Sequence, residues 1–504
     1  MDSVRAAGHV FATRPGRLHV ARRMLRPLPQ SRVAWSDPRL RPAWGVLALA
    51  AAVALVIFPR VAVVTDEAYY AGQALGLAHG SLLPTGAEAI PFVPGNEAYA
   101  VRYPYGWPLL LAPLRLLGFR AMFAATLALH LLGGAAVARM LVRRGLPAWL
   151  AAAWVFHPVA WVFSRTLMSD VPAAALILLS LDLWEQGRPG RSATALGYAL
   201  FTRTANLMAA AGVGLAVLLG RPRPRDVALL ALGPILGGLA FVALNQAALG
   251  SPMGSWYGVV GMGAFTADQV PRHLLLYAGG LLLLPPFPLA CLLLRPRDCD
   301  AWAVAAVPTL AFFVLYSYHD QSASPVETFL GSQRLILVAH AVLLVATIRV
   351  WAAIPLLRFR RAVLATAAAC AAAASLAWRG RLEERFIPAV RAVAACRPRT
   401  IAFNAYAQRI VAPVAADSFR TIRRARPVPP TDLAVILPRE VSRSELASGR
   451  FTMPRELQAG TSRCRMVGAY LVFDLAGRCP WQPTGCYVSP PASPGSRRIP
   501  VFGA

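Results

Sequence analysis

Two adjacent carboxylates, Asp66 and Glu67, sit in the stretch VVTDEAYYAGQALGLAHG (63–80), where a long apolar run gives way to polar residues. A carboxylate in a partly desolvated place can take the proton of an attacking hydroxyl, a contribution typically worth about 10²–10⁴ in rate. Asp66 is the candidate base. Glu67 beside it and Asp170 in SRTLMSDVPAAALILLS (164–180) complete the catalytic set. Arginines form its complement: Arg102, Arg203 and Arg334 carry planar forks that match a phosphate bidentately and can stabilise charge gathering on a leaving group. Tyr69, Tyr103 and His319 are the candidate substrate contacts.

Each of these residues also has a purely structural reading. Asp66 and Glu67 suit the first turn of a helix beginning near Ala68, where acids complement the helix dipole. Asp170 stands two residues before Pro172, a pattern of helix starts. Arg203 reads equally as a charge at a helix end. Tyr69, Tyr70 and Tyr103 suit an interfacial aromatic belt, and His319 with Asp320 in SYHDQSASP suits a solvated loop.

The elements that must hold these groups follow from composition. The chain has 504 residues, 57% of them hydrophobic and only 15% charged, which is too apolar for a soluble protein of this length. The net charge of +28 comes from arginine alone, for no lysine occurs, and the basic residues fall in short loops between apolar runs. That pattern orients a membrane protein and gives no support to nucleic-acid binding. Residues 1–42 hold nine arginines against Asp2 and Asp37 and are expected in the cytoplasm. The first span is expected at about Ala43–Val64, long enough for a hydrocarbon core of roughly 30 Å.

Further spans are expected near 121–142, 147–164, 170–186, 192–203, 205–220, 227–246, 274–294, 301–317, 333–350 and 362–378. With about eleven in all, the C-terminus lies outside. This arrangement places Arg143–Arg144, GRPGR (187–191), RPRPR (221–225), RPR (295–297) and RFRR (358–361) together in the cytoplasm. The segment 192–220 divides into two halves too short to span, with Arg203 at the turn. Half-helices persist at membrane depth only inside protein or beside a wet cavity.

After Trp378 the composition changes. The β-like runs RTIAFNA (399–405), LAVIL (433–437) and VGAYLVFDL (467–475) suggest a small C-terminal α/β domain, residues 379–504, outside the membrane. Cys464, Cys479 and Cys486 fall there; in an oxidising compartment Cys479 and Cys486 can close a small loop, and Cys464 is an equally valid partner for either. A zinc site is disfavoured because no CxxC and no local histidine accompanies them.

The motifs come in a telling order. DE follows the first span, YPYG opens the apolar stretch VRYPYGWPLLLAPLRLLG (101–118), SDVP stands at the second outer turn, and an arginine lies within GYALFTRTANLM (197–208). With NQAALGSPMGSWYG (245–258), these stretches resemble the membrane-integral GT-C glycosyltransferases, in the branch of protein O-mannosyltransferases and lipid A aminoarabinose transferases (glycosyltransferase family 39-like). The resemblance covers roughly residues 43–350; Tyr105 stands where a second proline is common, and no family pattern matches the C-terminal region.

The resemblance implies an α-helical polytopic membrane protein whose first outer loop, about 65–120, is catalytic. It implies a sugar donor on a polyprenyl phosphate, a hydroxyl acceptor on a protein, lipid or glycan, and an inverting single displacement at the outer face of the cytoplasmic membrane. No cofactor is required, since arginines can meet a lipid monophosphate, and a divalent metal stays open. An oligosaccharide ligase and a lipid-linked substrate flippase are the alternatives. Against the flippase stand acids at helix ends rather than at the bilayer midplane and the lack of an internal repeat.

Overall fold

The computed structural model describes residues 32–84, 103–253, 265–316, 325–353 and 386–403, the segments 418–421, 433–436, 463–467 and 470–480, and a few isolated residues between them. Helix α1 (Arg41–Val56) has a proline in its first turn, where a missing N–H costs nothing. Helix α2 (Thr65–Ala78) carries Asp66 and Glu67 in its first turn and ends before Gly80, whose φ of +78° suits glycine.

Helix α3 (Gly106–Leu116) has 11 residues, about 16 Å at 1.5 Å per residue, too short to cross a bilayer. It buries Trp107 and Leu111 and exposes Leu109, Leu110 and Leu116, as a helix lying along an interface does. Helix α4 (Phe123–Arg143) is followed by a broken stretch that contains α5 (Pro158–Phe163) and leads to α6 (Asp170–Glu185). Helices α7 (Pro189–Thr202) and α8 (Asn206–Leu219) are separated at Arg203, whose backbone is extended (φ −154°, ψ 115°). The halving expected at 192–220 is therefore present in the fold.

Helix α9 (Pro224–Leu249) exposes Leu232, Ile235, Leu236, Leu239 and Val242 along one side, an apolar face suited to lipid. Next come α10 (Val270–Leu283) and α11 (Pro288–Leu294), bent by 84° relative to one another. Then follow α12 (Ala306–Leu315), α13 (Pro325–Leu335), α14 (Leu337–Ala353) and α15 (Phe386–Ala395). The bend between α13 and α14 is 74°.

Among the described residues, three helical stretches are long and apolar enough to cross a membrane alone, Pro38–Val56, Phe119–Arg143 and Pro224–Leu249, and the two bent pairs raise that to five. The expected spans at 147–164, 170–186 and 192–220 take the form of shorter or interrupted helices. Proline and the extended Arg203 break the backbone ladder there, and tertiary packing covers the ends. Residues 362–378 lie almost wholly outside the described residues.

Helices α6 and α14 form the centre and are buried nearly all round. Glycines set the contact of α7 with α9. A Cβ on Gly197 would lie 2.2 Å from the carbonyl oxygen of Gly233, and one on Gly233 would lie 1.9 Å from that of Ala193. Small residues at such crossings let backbones meet.

At the far end of α6, Asp182 and Glu185 enter a buried ion network. Arg143 meets Asp182 at 2.6 Å and Glu185 at 3.0 Å, Arg144 meets Glu185 and Asp300 at 2.6 Å each, and Arg139 also pairs with Asp182. Trp302 donates to Glu185 at 2.8 Å. Such a network clamps α4, α6 and the chain before α12 together, because removing one partner strands a buried charge.

The β-like runs coincide with strands of a mixed sheet ordered β2-β1-β3-β5-β4, made of β1 (Thr400–Phe403), β2 (Ser418–Thr421), β3 (Leu433–Ile436), β4 (Arg463–Val467) and β5 (Tyr470–Asp474). Strand β1 runs parallel to β2 and β3, and β5 runs antiparallel to β3 and β4. The expected cysteine pairing is corrected. Cys479 is bonded to Cys396, at the end of α15, with a Cα–Cα distance of 4.1 Å. Cys464 lies in β4 opposite Phe473, and Cys486 lies outside the described residues. Local spacing favoured a short loop, whereas the fold brings together two cysteines separated by 83 positions.

Candidate active site

The first turn of α2 is tied to the loop before α6. Glu67 is fully buried, and its carboxylate accepts backbone N–H groups from Val63 at 2.7 Å, Val64 at 3.4 Å and Leu167 at 3.2 Å. It therefore caps its own helix and holds a loop 100 residues downstream. Successive helical residues point about 100° apart, so Asp66 leaves the helix in another direction and is only half-buried. The structure thus separates the two acids, with Glu67 committed to backbone amides and Asp66 at the more open position.

The same loop is gripped from other sides. Trp107 of α3 donates its indole N–H to the Leu167 carbonyl at 2.7 Å, and Arg165 donates to the Ile57 carbonyl past the end of α1. The Tyr70 hydroxyl and Ser169 Oγ are 2.8 Å apart. Tyr70 stacks on Tyr103 with ring centroids 4.3 Å apart, Tyr69 meets Tyr103 edge to face at 6.5 Å, and Gln73 donates to the Tyr103 carbonyl at 3.0 Å. All three tyrosines are buried. Tyr105, at the position where a proline is common, hydrogen-bonds the Leu82 carbonyl at 3.0 Å.

Asp170 opens α6 immediately after Ser169, and its carboxylate receives the guanidinium of Arg203 from the break between α7 and α8. The Asp170 side chain is 3% exposed and that of Arg203 18%, so the arginine is the member of the pair that keeps access to its surroundings. Its guanidinium lies 5.6 Å from the Phe313 ring of α12. A guanidinium has five N–H donors, so a carboxylate on one side leaves capacity for a second anion. Arg334, near the end of α13, lies over the Phe163 ring at 5.6 Å and is buried.

Among the sequence-predicted site residues, the fold gathers Glu67, Tyr69, Tyr103, Asp170 and Arg203 around the α2–α6 junction, with Asp66 on the same helical turn as Glu67. Arg334 sits against the end of α5. Arg102 and His319 lie outside the described residues. Ser169, Trp107, Gln73 and Arg165 were missed. Two of these, Arg165 and Ser169, stand in the motif that flagged Asp170, but small polar or basic residues carry no distinguishing pattern of their own. Among the described residues, no three His, Cys, Asp or Glu side chains converge as a metal ion would need.

No protein-family model and no curated protein matches the chain. Among solved structures, the apo crystal structure of ArnT from Cupriavidus metallidurans is similar with a TM-score of 0.57 and 17% identity, over 87% of this chain and all of that one. The chain has an ArnT-like fold. A second ArnT structure, bound to undecaprenyl phosphate, is similar at a TM-score of 0.55 and 16% identity, over 87% of this chain and 99% of that one. The ArnT-like fold and the apolar helices make this chain a multi-pass membrane protein, built as the GT-C resemblance of its motifs anticipated.

Proposed function

We propose that this protein transfers a sugar from a polyprenyl-phosphate donor to a hydroxyl acceptor at the outer face of the cytoplasmic membrane. The observation that carries the reading is the pairing of Asp170 with Arg203 at the mouth of α6, beside the loop anchored by Glu67. It is supported by the ArnT-like fold, since one ArnT structure holds undecaprenyl phosphate.

The reaction is an inverting single displacement. The acceptor oxygen attacks the anomeric carbon, the carbon–oxygen bond to the phosphate breaks, and the electron pair leaves with the polyprenyl phosphate. Asp66, half-buried where Glu67 is fully buried, takes the acceptor proton. Arg203, steered by Asp170, meets the phosphate together with Arg334 and Arg102, so that negative charge develops among fixed donors. Glu67 acts through position rather than contact, and Tyr69 and Tyr103 wall the sugar. In this reading the N-terminal tail is cytoplasmic, and residues 379–504 form an α/β domain outside.

The test is a purified-protein assay in nanodiscs. Undecaprenyl phosphate binding is followed by native mass spectrometry, and consumption of a radiolabelled undecaprenyl-phosphate sugar is followed with envelope extracts as acceptor source. The expected result is saturable lipid binding and transfer of label to an extractable acceptor. Absence of both would sink the reading.

A further inference from the structure

We propose that Gln333 and His340 are positioning residues that hold the two arginines assigned to the donor phosphate, Arg203 and Arg334, in fixed relation to one another. The proposal rests on the polyprenyl-phosphate reading above and deepens it.

Gln333 precedes Arg334 on α13 and is fully buried. Its Nε2 donates to the carbonyl of Leu276 on α10 at 2.8 Å, and its Oε1 lies 3.0 Å from Nε2 of His340 on the first turn of α14. The amide oxygen of Gln333 can only accept, so His340 is the donor through Nε2–H. One side chain thus joins three helices across the 74° bend that separates Arg334 from α14.

Each contact leads to an arginine. Leu276 is followed by Tyr277, whose ring lies 5.6 Å from that of His273 on the same helix; His273 hydrogen-bonds the Val314 carbonyl of α12 at 3.2 Å, and Arg203 lies 5.6 Å from the ring of the adjacent Phe313. On the other side, the His340 ring packs against His157 with centroids 5.0 Å apart. His157 caps α5, its Nδ1 accepting the Ala160 N–H at 3.5 Å, and α5 ends at Phe163, over which Arg334 lies at 5.6 Å. Arg334, Gln333, His340, His157 and Phe163 therefore form a closed circuit in space, although His157 and His340 are 183 positions apart in the chain.

The chain also makes room for the amide. A Cβ on Gly280 of α10 would lie 1.9 Å from Gln333 Oε1 and 2.2 Å from its Cδ. The three atoms nearest that Cβ all belong to the flexible end of Gln333, so Gly280→Ala displaces the amide and breaks the couple without removing any polar group from the chain.

The experiment compares wild type, His340→Leu, His340→Gln and Gly280→Ala in the nanodisc transfer assay, with undecaprenyl phosphate binding measured separately. His340→Leu and Gly280→Ala are each expected to raise KM for the donor about tenfold and weaken undecaprenyl phosphate binding in step, while kcat changes less than about threefold. His340→Gln restores KM to within about twofold, because its amide N–H reaches the same oxygen. Wild-type KM in both His340→Leu and Gly280→Ala, with wild type itself active, overturns the positioning role and leaves the function standing. Reduced kcat or folded yield at unchanged KM also overturns it, since that is how a merely structural pair behaves. A wild-type protein that neither binds the lipid nor turns over the donor overturns the function and this inference together.

Discussion

The carboxylate of Glu67 accepts the backbone N–H of Leu167 at 3.2 Å, a bond that joins the start of α2 to the loop before α6 across 100 positions of sequence. It separates the roles of two adjacent acids that look interchangeable in the chain. Glu67→Gln replaces one accepting oxygen with an NH₂ facing backbone donors. The expected cost is about 1–3 kcal/mol of stability, with any activity loss following the loss of folded protein. Asp66→Asn keeps the fold and lipid binding but loses transfer by about 10²–10⁴. Melting temperature in detergent and transfer rate, measured on both variants, check the pair, and wild-type turnover in Asp66→Asn would remove it as the base.

Arg203→Lys keeps the charge yet loses the planar fork that holds Asp170 and, in the proposed function, the donor phosphate. Transfer should fall about tenfold, and Arg203→Ala should lose about 10²-fold or more. Asp170→Asn should mimic part of the alanine effect by freeing the guanidinium to reorient. In a double-mutant cycle the two losses should therefore combine to less than their sum. Strict additivity would separate the two residues functionally.

Gly233→Ala places a methyl group 1.9 Å from the Ala193 carbonyl oxygen, a backbone atom that cannot swing away. Helices α7 and α9 must part, and the expected destabilisation is about 1–3 kcal/mol or more, with displacement of Arg203 at the end of α7. Gly214→Ala, where a Cβ meets nothing within 4 Å, is the control. Thermal unfolding of both variants in detergent measures the difference.

Topology reporters fused after Gly187, next to the ion network, should be active only in the cytoplasmic form, and fusions after Gly118 only in the exported form. In the proposed orientation Asp170 and Glu185, the two ends of one helix of 16 residues, face opposite sides of the membrane. The reverse pattern would invert the proposed orientation of the site.

Non-reducing peptide mapping should recover Cys396 joined to Cys479, and Cys396→Ser should leave Cys479 reactive toward a thiol probe. A peptide joining Cys479 to Cys486 instead would restore the pairing that sequence spacing suggests.

Much of this architecture is written locally. Apolar runs bounded by arginine specify membrane helices because hydrocarbon demands it, and the shortness of 192–203 and 205–220 on either side of the turn at Arg203 already marks the break that the structure contains. The three β-like runs coincide with β1, β3 and β5 because alternation and β-branched residues act over a few positions. The acids and arginines were visible as residue types able to do chemistry. Their division of labour was not, since Asp66 and Glu67 differ only in which neighbours surround them. That Glu67 is spent on Leu167, that Asp170 holds Arg203, that His340 reaches Gln333 across a bend and that Cys479 finds Cys396 are decisions of packing. Hydrogen bonds and ion pairs act over about 3 Å, and partners tens to hundreds of positions apart come within that range only once the helices have chosen their crossings.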